Sequence, residues 1–329
     1  MILDGQSAAA IEQAAQVLAQ GQLVAFPTET VYGLGADAAS DEAVARIFTA
    51  KGRPSDHPLI VHVPDAAAVP RFAAEVPAFA HKLMQAFWPG PLTLILPRRD
   101  GIATAAAGRQ ATIGVRCPSH PVAHALLLAC AAHGVHGLAG PSANQFGRVS
   151  PTTAEHVRAE FGDGLLVLDG GACQVGIEST IVDCSRGAPV LLRPGTLTRQ
   201  AIEAACGQPL RSPDELDEPA PRASGTLEAH YAPSARVRLM DAKSLQQALD
   251  VLGADAAGIA TWSRSILQTR SGNVLRRRMP DDAAETARQL FAVLREFDAQ
   301  GVKLIWIEQP PDLPEWEGVR DRLRRAAAA

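Results

Sequence analysis

Short apolar runs and amphipathic stretches alternate along most of this chain. The runs at 23–26, 59–63, 92–96, 112–115, 165–168, 180–182 and 190–192 predict strands. The stretches 8–19, 41–50 and 121–132 place apolar residues at helical spacing, and Ser150-Pro151-Thr152-Thr153 reads as a helix start before 154–161. Residues 1–207 are therefore expected to form one α/β domain. Between Gln208 and Arg236 the pattern stops: five prolines, several acids and almost no aliphatic periodicity predict a linker over 208–236. A second alternation follows, with strands expected at 237–240, 258–261 and 303–308 and a long helix over 281–300 opened by Pro280. Residues 237–329 are thus expected to form a smaller, doubly wound, Rossmann-like α/β domain with a mainly parallel sheet. This second domain has no glycine-rich dinucleotide fingerprint, and no cofactor is assigned to it.

Composition adds exclusions. With 329 residues, 47% apolar and 20% charged, the chain suits about two soluble domains. No uncharged apolar run is long enough to span a bilayer, and the N-terminus lacks a basic-then-apolar leader pattern, so a cytoplasmic location is expected. Five cysteines without a Cys-x-x-Cys pair suggest neither a disulfide framework nor a structural zinc site. Net charge is −4, with 14 Lys+Arg against 17 Asp+Glu in residues 1–205 and 17 against 18 in the remainder. A general nucleic-acid binder carries a basic excess that is absent here. The basic runs at 276–278 and 320–325 read as a solvated edge and a helix end.

Two segments concentrate chemistry. PTETVYGLG (27–35) follows an apolar run with hydroxyls, a carboxylate, a tyrosine and two glycines, and KGRPSDHPLIVHV (51–63) gathers Lys51, Arg53, His57 and His62. Cations at that density call for an anion to neutralise them. Lys51 and Arg53 pair a point charge with a planar fork, a set that suits phosphate oxygens; a cationic cap on the helix ending near residue 50 is the alternative. No Gly-x-Ser-x-Gly elbow, Walker loop or His-Glu-x-x-His helix is present. His120 and His124 stand four apart on an expected helix without an evident third metal ligand.

Four further blocks stand in order downstream: TIGVRCPSHP (112–121), GPSANQFGRVSPT (140–152), GIESTIVD (176–183) and LLRPG (191–195). With the first two segments they resemble the YrdC-like family, the threonylcarbamoyl-AMP synthases, in the longer form that carries a C-terminal α/β domain. The resemblance implies a twisted mixed-sheet catalytic domain. It also implies a nucleotidyltransferase joining L-threonine, bicarbonate and ATP, with release of pyrophosphate, for threonylcarbamoyladenosine modification of tRNA beside the anticodon. Positioning and electrostatics would carry such a reaction, without a covalent nucleophile. Lys51 and Arg53 would be its catalytic phosphate clamps. Thr30, His62, Arg116, Gly140 and Ser179 match threonine-holding positions, although a His between Val61 and Val63 is also read as a half-buried strand residue. Arg53, His57, Thr112, Ser142, Asn144, Ser150 and Arg193 match the ATP side. Thr112 equally suits a plain strand position, Arg193 a strand-end surface arginine, and Ser142, Asn144 and Ser150 plain turn and cap chemistry. HYAP (230–233) matches an interdomain motif whose Tyr231 would close over bound nucleotide, which makes 208–236 a candidate lid as well as a linker.

Magnesium is expected through the ATP phosphates with no dedicated protein metal site, and no general base is assigned to Glu29 or Glu178. The product implies a partner that accepts and transfers it, with weak or indirect tRNA contact. Two other readings are a carbamoyl-adenylate-forming enzyme on the same catalytic fold, disfavoured because the chain begins directly with the catalytic domain and lacks paired-cysteine motifs, and a non-catalytic RNA-binding module, disfavoured by the acidic balance.

Overall fold

The computed structural model describes residues 1–215 and 219–329; part of the expected linker, 216–218, lies outside the described residues. Two compact units emerge. The first comprises Met1–Phe146 and Ser150–Thr226, the second Gly147–Val149 and Leu227–Ala329.

In chain order the first unit contains β1 (Ile2–Asp4), α1 (Ala8–Ala19), β2 (Val24–Phe26), β3 (Gly33–Asp37), α2 (Asp41–Lys51), β4 (Ile60–His62), α3 (Ala78–Phe87) and β5 (Leu92–Pro97). It continues with β6 (Thr112–Arg116), α4 (Pro121–Ala132), β7 (Leu138–Ala139), α5 (Ala154–Phe161), β8 (Leu166–Asp169), β9 (Thr180–Asp183), β10 (Val190–Arg193) and α6 (Arg199–Cys206). The strands form one mixed ten-stranded sheet in the order β1-β8-β2-β3-β7-β4-β6-β5-β9-β10. Pairing is parallel between β4 and β6 and between β5 and β9, and antiparallel between β6 and β5.

Strand alternation divides this sheet into two chemically distinct faces. Val61, Leu92, Leu94, Leu96, Ile113, Val115 and Val182 enter the main core with Leu34, Ile47 and Leu83. The intervening residues, Ile60, His62, Thr93, Ile95, Thr112, Gly114, Arg116 and Ile181, belong to the other face. Over β2, β7 and β8 that second face is covered by α1 and α4, where Ala14, Leu18, Val122 and Leu126 pack on Val24, Phe26, Leu138 and Leu168. Over β4, β6, β5 and β9 it carries the candidate site.

Local signals place α2 and hence Lys51. Ser40 caps the helix by accepting from the Ala43 N–H at 3.2 Å, Asp41 and Glu42 occupy the first turn, and Gly52 ends it at φ 61°. Strand β3 departs from expectation, since GLGAD reads as a glycine turn but is a buried strand antiparallel to β2. Its glycines face the Phe26 ring; a Cβ on Gly35 would lie 2.9 Å from Phe26 Cε1, so only glycine lets the ring lie across the strand.

The second unit contains β11 (Arg236–Met240), α7 (Ala242–Leu252), β12 (Ile259–Ser263), β13 (Leu275–Arg278), α8 (Ala283–Ala299), β14 (Leu304–Glu308) and α9 (Glu317–Ala327). Its four strands are all parallel in the order β11-β14-β12-β13. The arginine run at 276–278 forms an exposed edge strand. Charge on an edge discourages unwanted strand pairing. Among the described residues no helix is long and apolar enough to cross a membrane.

Candidate active site

The site begins at the ends of β4 and β6, where parallel register sets His62 beside Arg116. Both are 3% exposed. Arg116 Nη1 donates to Thr30 Oγ1 at 2.8 Å, and its Nε donates to the Gly90 carbonyl at 3.3 Å. Nη2 lies 2.7 Å from Glu29 Oε1 in a buried ion pair. Glu29 Oε2 accepts from the Ser119 N–H at 3.2 Å. Thr30 is itself held by Thr28, whose hydroxyl lies 2.9 Å away and donates to the Val31 carbonyl. A short polar turn thus aims one hydroxyl at one guanidinium.

Phe26 meets the His62 ring edge-on, with centroids 5.6 Å apart. Gly140 lies against both rings; a Cβ there would come within 3.0 Å of His62 Nδ1 and 3.2 Å of Phe26 Cζ. Burial, with the Arg116 charge second, drives His62 down to about 3, so its imidazole is neutral at neutral pH. Its Nδ1 is buried without a hydrogen-bond partner. Thr30, His62, Arg116 and Gly140 thus lie together at the ends of β4 and β6.

Ser179 continues the polar row on the neighbouring strands. Its hydroxyl lies 2.8 Å from Thr93 Oγ1 and accepts from Arg193 Nη2 at 3.2 Å, while its carbonyl accepts from Arg193 Nε and Nη2. Arg193 Nη1 reaches the Ser224 carbonyl at 2.8 Å, and Arg53 Nη2 reaches the Pro58 carbonyl at 3.0 Å and Ser224 Oγ at 3.5 Å. Two arginines from distant parts of the chain thus meet at one point. The Arg53 guanidinium also lies 5.7 Å from the Phe146 ring centroid, and His57 packs edge-on against the same ring. Burial, then Arg53, lowers the His57 pKa. Beside this point is a cleft with walls from Pro58, Ile60, Ile95, Thr112 and Gly114, roofed by residues 222–224. Ala223 covers the cluster of Ile60, Ile95 and Ile181.

The 140–150 loop is pinned from below. Lys51, 2% exposed, donates through Nζ to the carbonyls of Ser142 and Asn144. Burial, followed by Arg53, depresses its pKa well below the ordinary lysine value. Lys51 thereby holds the shape of this loop. Ser142 is half-buried and Asn144 buried in that loop. Ser150 is fully buried and donates to Glu178 Oε1 at 2.5 Å. It is not the cap of α5; Thr153 is, accepting from the His156 N–H. His120 likewise caps α4 through Nδ1.

Tyr231 is the last of the expected site residues. It belongs to the second unit, 1% exposed, with its ring against His230 and Phe291 and the Arg322 guanidinium 5.5 Å from its centroid. Sequence reasoning also passed over Thr93, the pairing of Glu29 with Arg116, and Ser224. Thr93 reads as one more apolar-strand residue, and Ser224 sits in a stretch whose composition signals only a linker. Glu29 was visible in PTET, but its partner is 87 positions away.

Comparison with known proteins identifies relatives of the whole chain. The Sua5/YciO/YrdC profile, described as "Telomere recombination", matches residues 16–195, and that of the "Threonylcarbamoyl-AMP synthase, C-terminal domain" matches 197–328. The threonylcarbamoyl-AMP synthase of Pyrococcus abyssi is 38% identical over 96% of this chain and 94% of its own. That of Bacillus subtilis is 37% identical over 96% and 92%. The crystal structure of P. abyssi Sua5 complexed with L-threonine superposes with a TM-score of 0.86 at 36% identity, covering 96% of this chain and 94% of that one. Escherichia coli YciO, at 23% identity and a TM-score of 0.52, shares the fold over 61% of this chain. The chain belongs to the Sua5/YciO/YrdC family, in the form that carries the threonylcarbamoyl-AMP synthase C-terminal domain.

Proposed function

We propose that this chain forms threonylcarbamoyl-AMP and pyrophosphate from L-threonine, bicarbonate and ATP, supplying threonylcarbamoyladenosine modification of tRNA. The observation that carries the reading is the buried row on one sheet face, His62–Arg116–Ser179–Arg193, with Arg53 meeting Arg193 at Ser224. It offers two anion-binding points of different character. Arg116, with Thr30, suits an amino-acid carboxylate, while neutral His62 suits a hydroxyl and Gly140 keeps the space beside it clear. Arg53 and Arg193 suit the phosphates, over a cleft with an isoleucine floor for the apolar part of a nucleotide.

In the reaction the threonine amine and bicarbonate condense to an N-carboxylate with loss of water. A carboxylate oxygen then attacks the α-phosphorus, and the bond to the bridging oxygen of the β-phosphate breaks. Arg53 and Arg193 would stabilise charge that develops on the phosphoryl oxygens, and the fixed polar row would hold the N-carboxylate in line. Magnesium would enter on the triphosphate and neutralise phosphate charge. No group of three His, Cys, Asp or Glu side chains is placed to hold a metal among the described residues.

Residues 222–226 would act as a lid. Ser224 takes the donors of Arg53 and Arg193 and donates to the Pro58 carbonyl at 2.7 Å, so ATP phosphates compete with it for the same two arginines. A partner that transfers the threonylcarbamoyl group and a cytoplasmic location complete the proposal. The test is pyrophosphate release, which should require L-threonine and bicarbonate together. L-Serine should serve less well, because a methyl group in an apolar pocket contributes about 1–3 kcal/mol. Equal release with no amino acid present would overturn the reading.

A further inference from the structure

A cavity of about 350 Å³ opens on the first unit, with Arg71, Arg99, His136, Asp100, Phe72 and Ile102 in its lining. It lies away from the candidate active site. Phe72 is 2% exposed and belongs to the core that holds Val61, and a Cβ on Gly137 would lie 2.6 Å from Phe72 Cζ and 2.9 Å from Val61 Cγ1. The cavity therefore stands on the Val61 face of the sheet, whereas His62 and Arg116 occupy the other. Its loops are tied together: the Arg99 N–H donates to the Phe72 carbonyl at 2.8 Å, and the Ala38 N–H donates to the Gly137 carbonyl at 3.0 Å. Arg98 braces the 99–102 turn, donating through Nη1 to the carbonyls of Arg99 at 3.2 Å and Ile102 at 2.9 Å. Such bracing makes the cavity preformed, as small-molecule sites usually are.

Charge and walls together define what would fill it. Arg71 and Arg99 are exposed at its rim and His136 is half-buried, and among the described lining residues Asp100 is the one carboxylate. Two guanidinium forks at one opening suit the oxygens of a phosphate, which each fork can meet with paired N–H donors. Phe72 and Ile102 suit an apolar body attached to it. The volume is near the lower end of the range for drug-sized ligands, so that body is small. We propose that this cavity binds a phosphate monoester with a small apolar body, its phosphate held by Arg71 and Arg99, at a site separate from the one that takes ATP.

The test uses the full chain and ligand-observed NMR titration, with phenyl phosphate as the probe and inorganic phosphate beside it. Because the ATP side of the active site also attracts phosphates, the Arg53→Ala variant is titrated alongside the native protein. Phenyl phosphate should still bind to Arg53→Ala, at least about threefold more tightly than inorganic phosphate. Adding Arg71→Gln and Arg99→Gln should weaken that binding about tenfold or more, as expected for lost charge-assisted contacts. Adding Asp100→Asn instead should tighten it by about twofold, because a like charge beside the phosphate is removed; a damaged fold would only weaken it. Loss of all phenyl phosphate binding in Arg53→Ala, or binding indifferent to the Arg71, Arg99 and Asp100 changes, would overturn the proposal. Equal affinity for inorganic phosphate would overturn the apolar body.

Discussion

Gly140→Ala is a direct probe of how tightly the threonine side of the site is built. The new methyl would lie 3.0 Å from His62 Nδ1, 3.1 Å from His62 Cε1 and 3.2 Å from Phe26 Cζ. Comfortable carbon contacts are about 3.5–4.0 Å, so both rings must move by several tenths of an ångström. They are packed edge to face on each other and both are buried, so neither can retreat without disturbing the sheet face beneath. Overpacking of this kind costs about 1–3 kcal/mol in stability. If His62 meets the substrate hydroxyl as proposed, the displaced imidazole would also lose that hydrogen bond, about 0.5–1.5 kcal/mol, and the methyl would take up ligand space. Affinity for L-threonine should fall about tenfold or more, while ATP affinity changes less than about twofold because Arg53 and Arg193 are untouched. Calorimetric titration with each ligand, alongside thermal unfolding, reads all three quantities. Unchanged threonine affinity in a folded variant would refute the placement of the ligand beside His62.

Three further outcomes are expected. Arg53→Ala should weaken ATP binding and spare L-threonine, and Arg116→Ala should do the reverse, each by about 1.5–3 kcal/mol for a lost charge-assisted contact; equal losses for both ligands in each variant would remove the division of the site. Folding holds His62 near 3 against an ordinary 6.5, so its contribution to stability is complete above pH 6.5 and falls as pH drops toward 3, by up to about 1.4 kcal/mol per unit; denaturant unfolding across that window should show a shallower pH dependence for His62→Gln, and parallel curves would contradict the burial argument. Limited proteolysis within 208–236 should slow when ATP and L-threonine are added together, whereas an unchanged rate would reduce the segment to a tether.

Much of the first unit is legible in the sequence because its strands are short apolar runs bounded by clear turns and its helices carry strong caps. Ser40 and Gly52 frame α2 within a residue of the expected range. What is not legible depends on long-range partners. The strand character of 33–37 is hidden because two glycines, ordinarily turn residues, are there to pass under the Phe26 ring. Thr93 gains meaning only when Ser179 is brought beside it, and Ser224 only when Arg53 and Arg193 meet at it. Tyr231 is a further case, since its neighbours Phe291 and Arg322 lie in segments whose packing against 231 no local pattern reveals. The candidate residues on β4 and β6 are legible as a set because period-two alternation places His62, Thr112 and Arg116 on one face and Val61, Ile113 and Val115 on the other.

The central claim, that this sheet face joins threonine, bicarbonate and ATP, is tested most directly by product analysis. The protein would be incubated with ATP, L-threonine and ¹³C-bicarbonate, and the adenylate formed identified by mass spectrometry. The account predicts an AMP adduct that contains threonine and one ¹³C, absent with Arg116→Ala. An adenylate of threonine without the label, or a labelled adduct that forms equally without threonine, would contradict it.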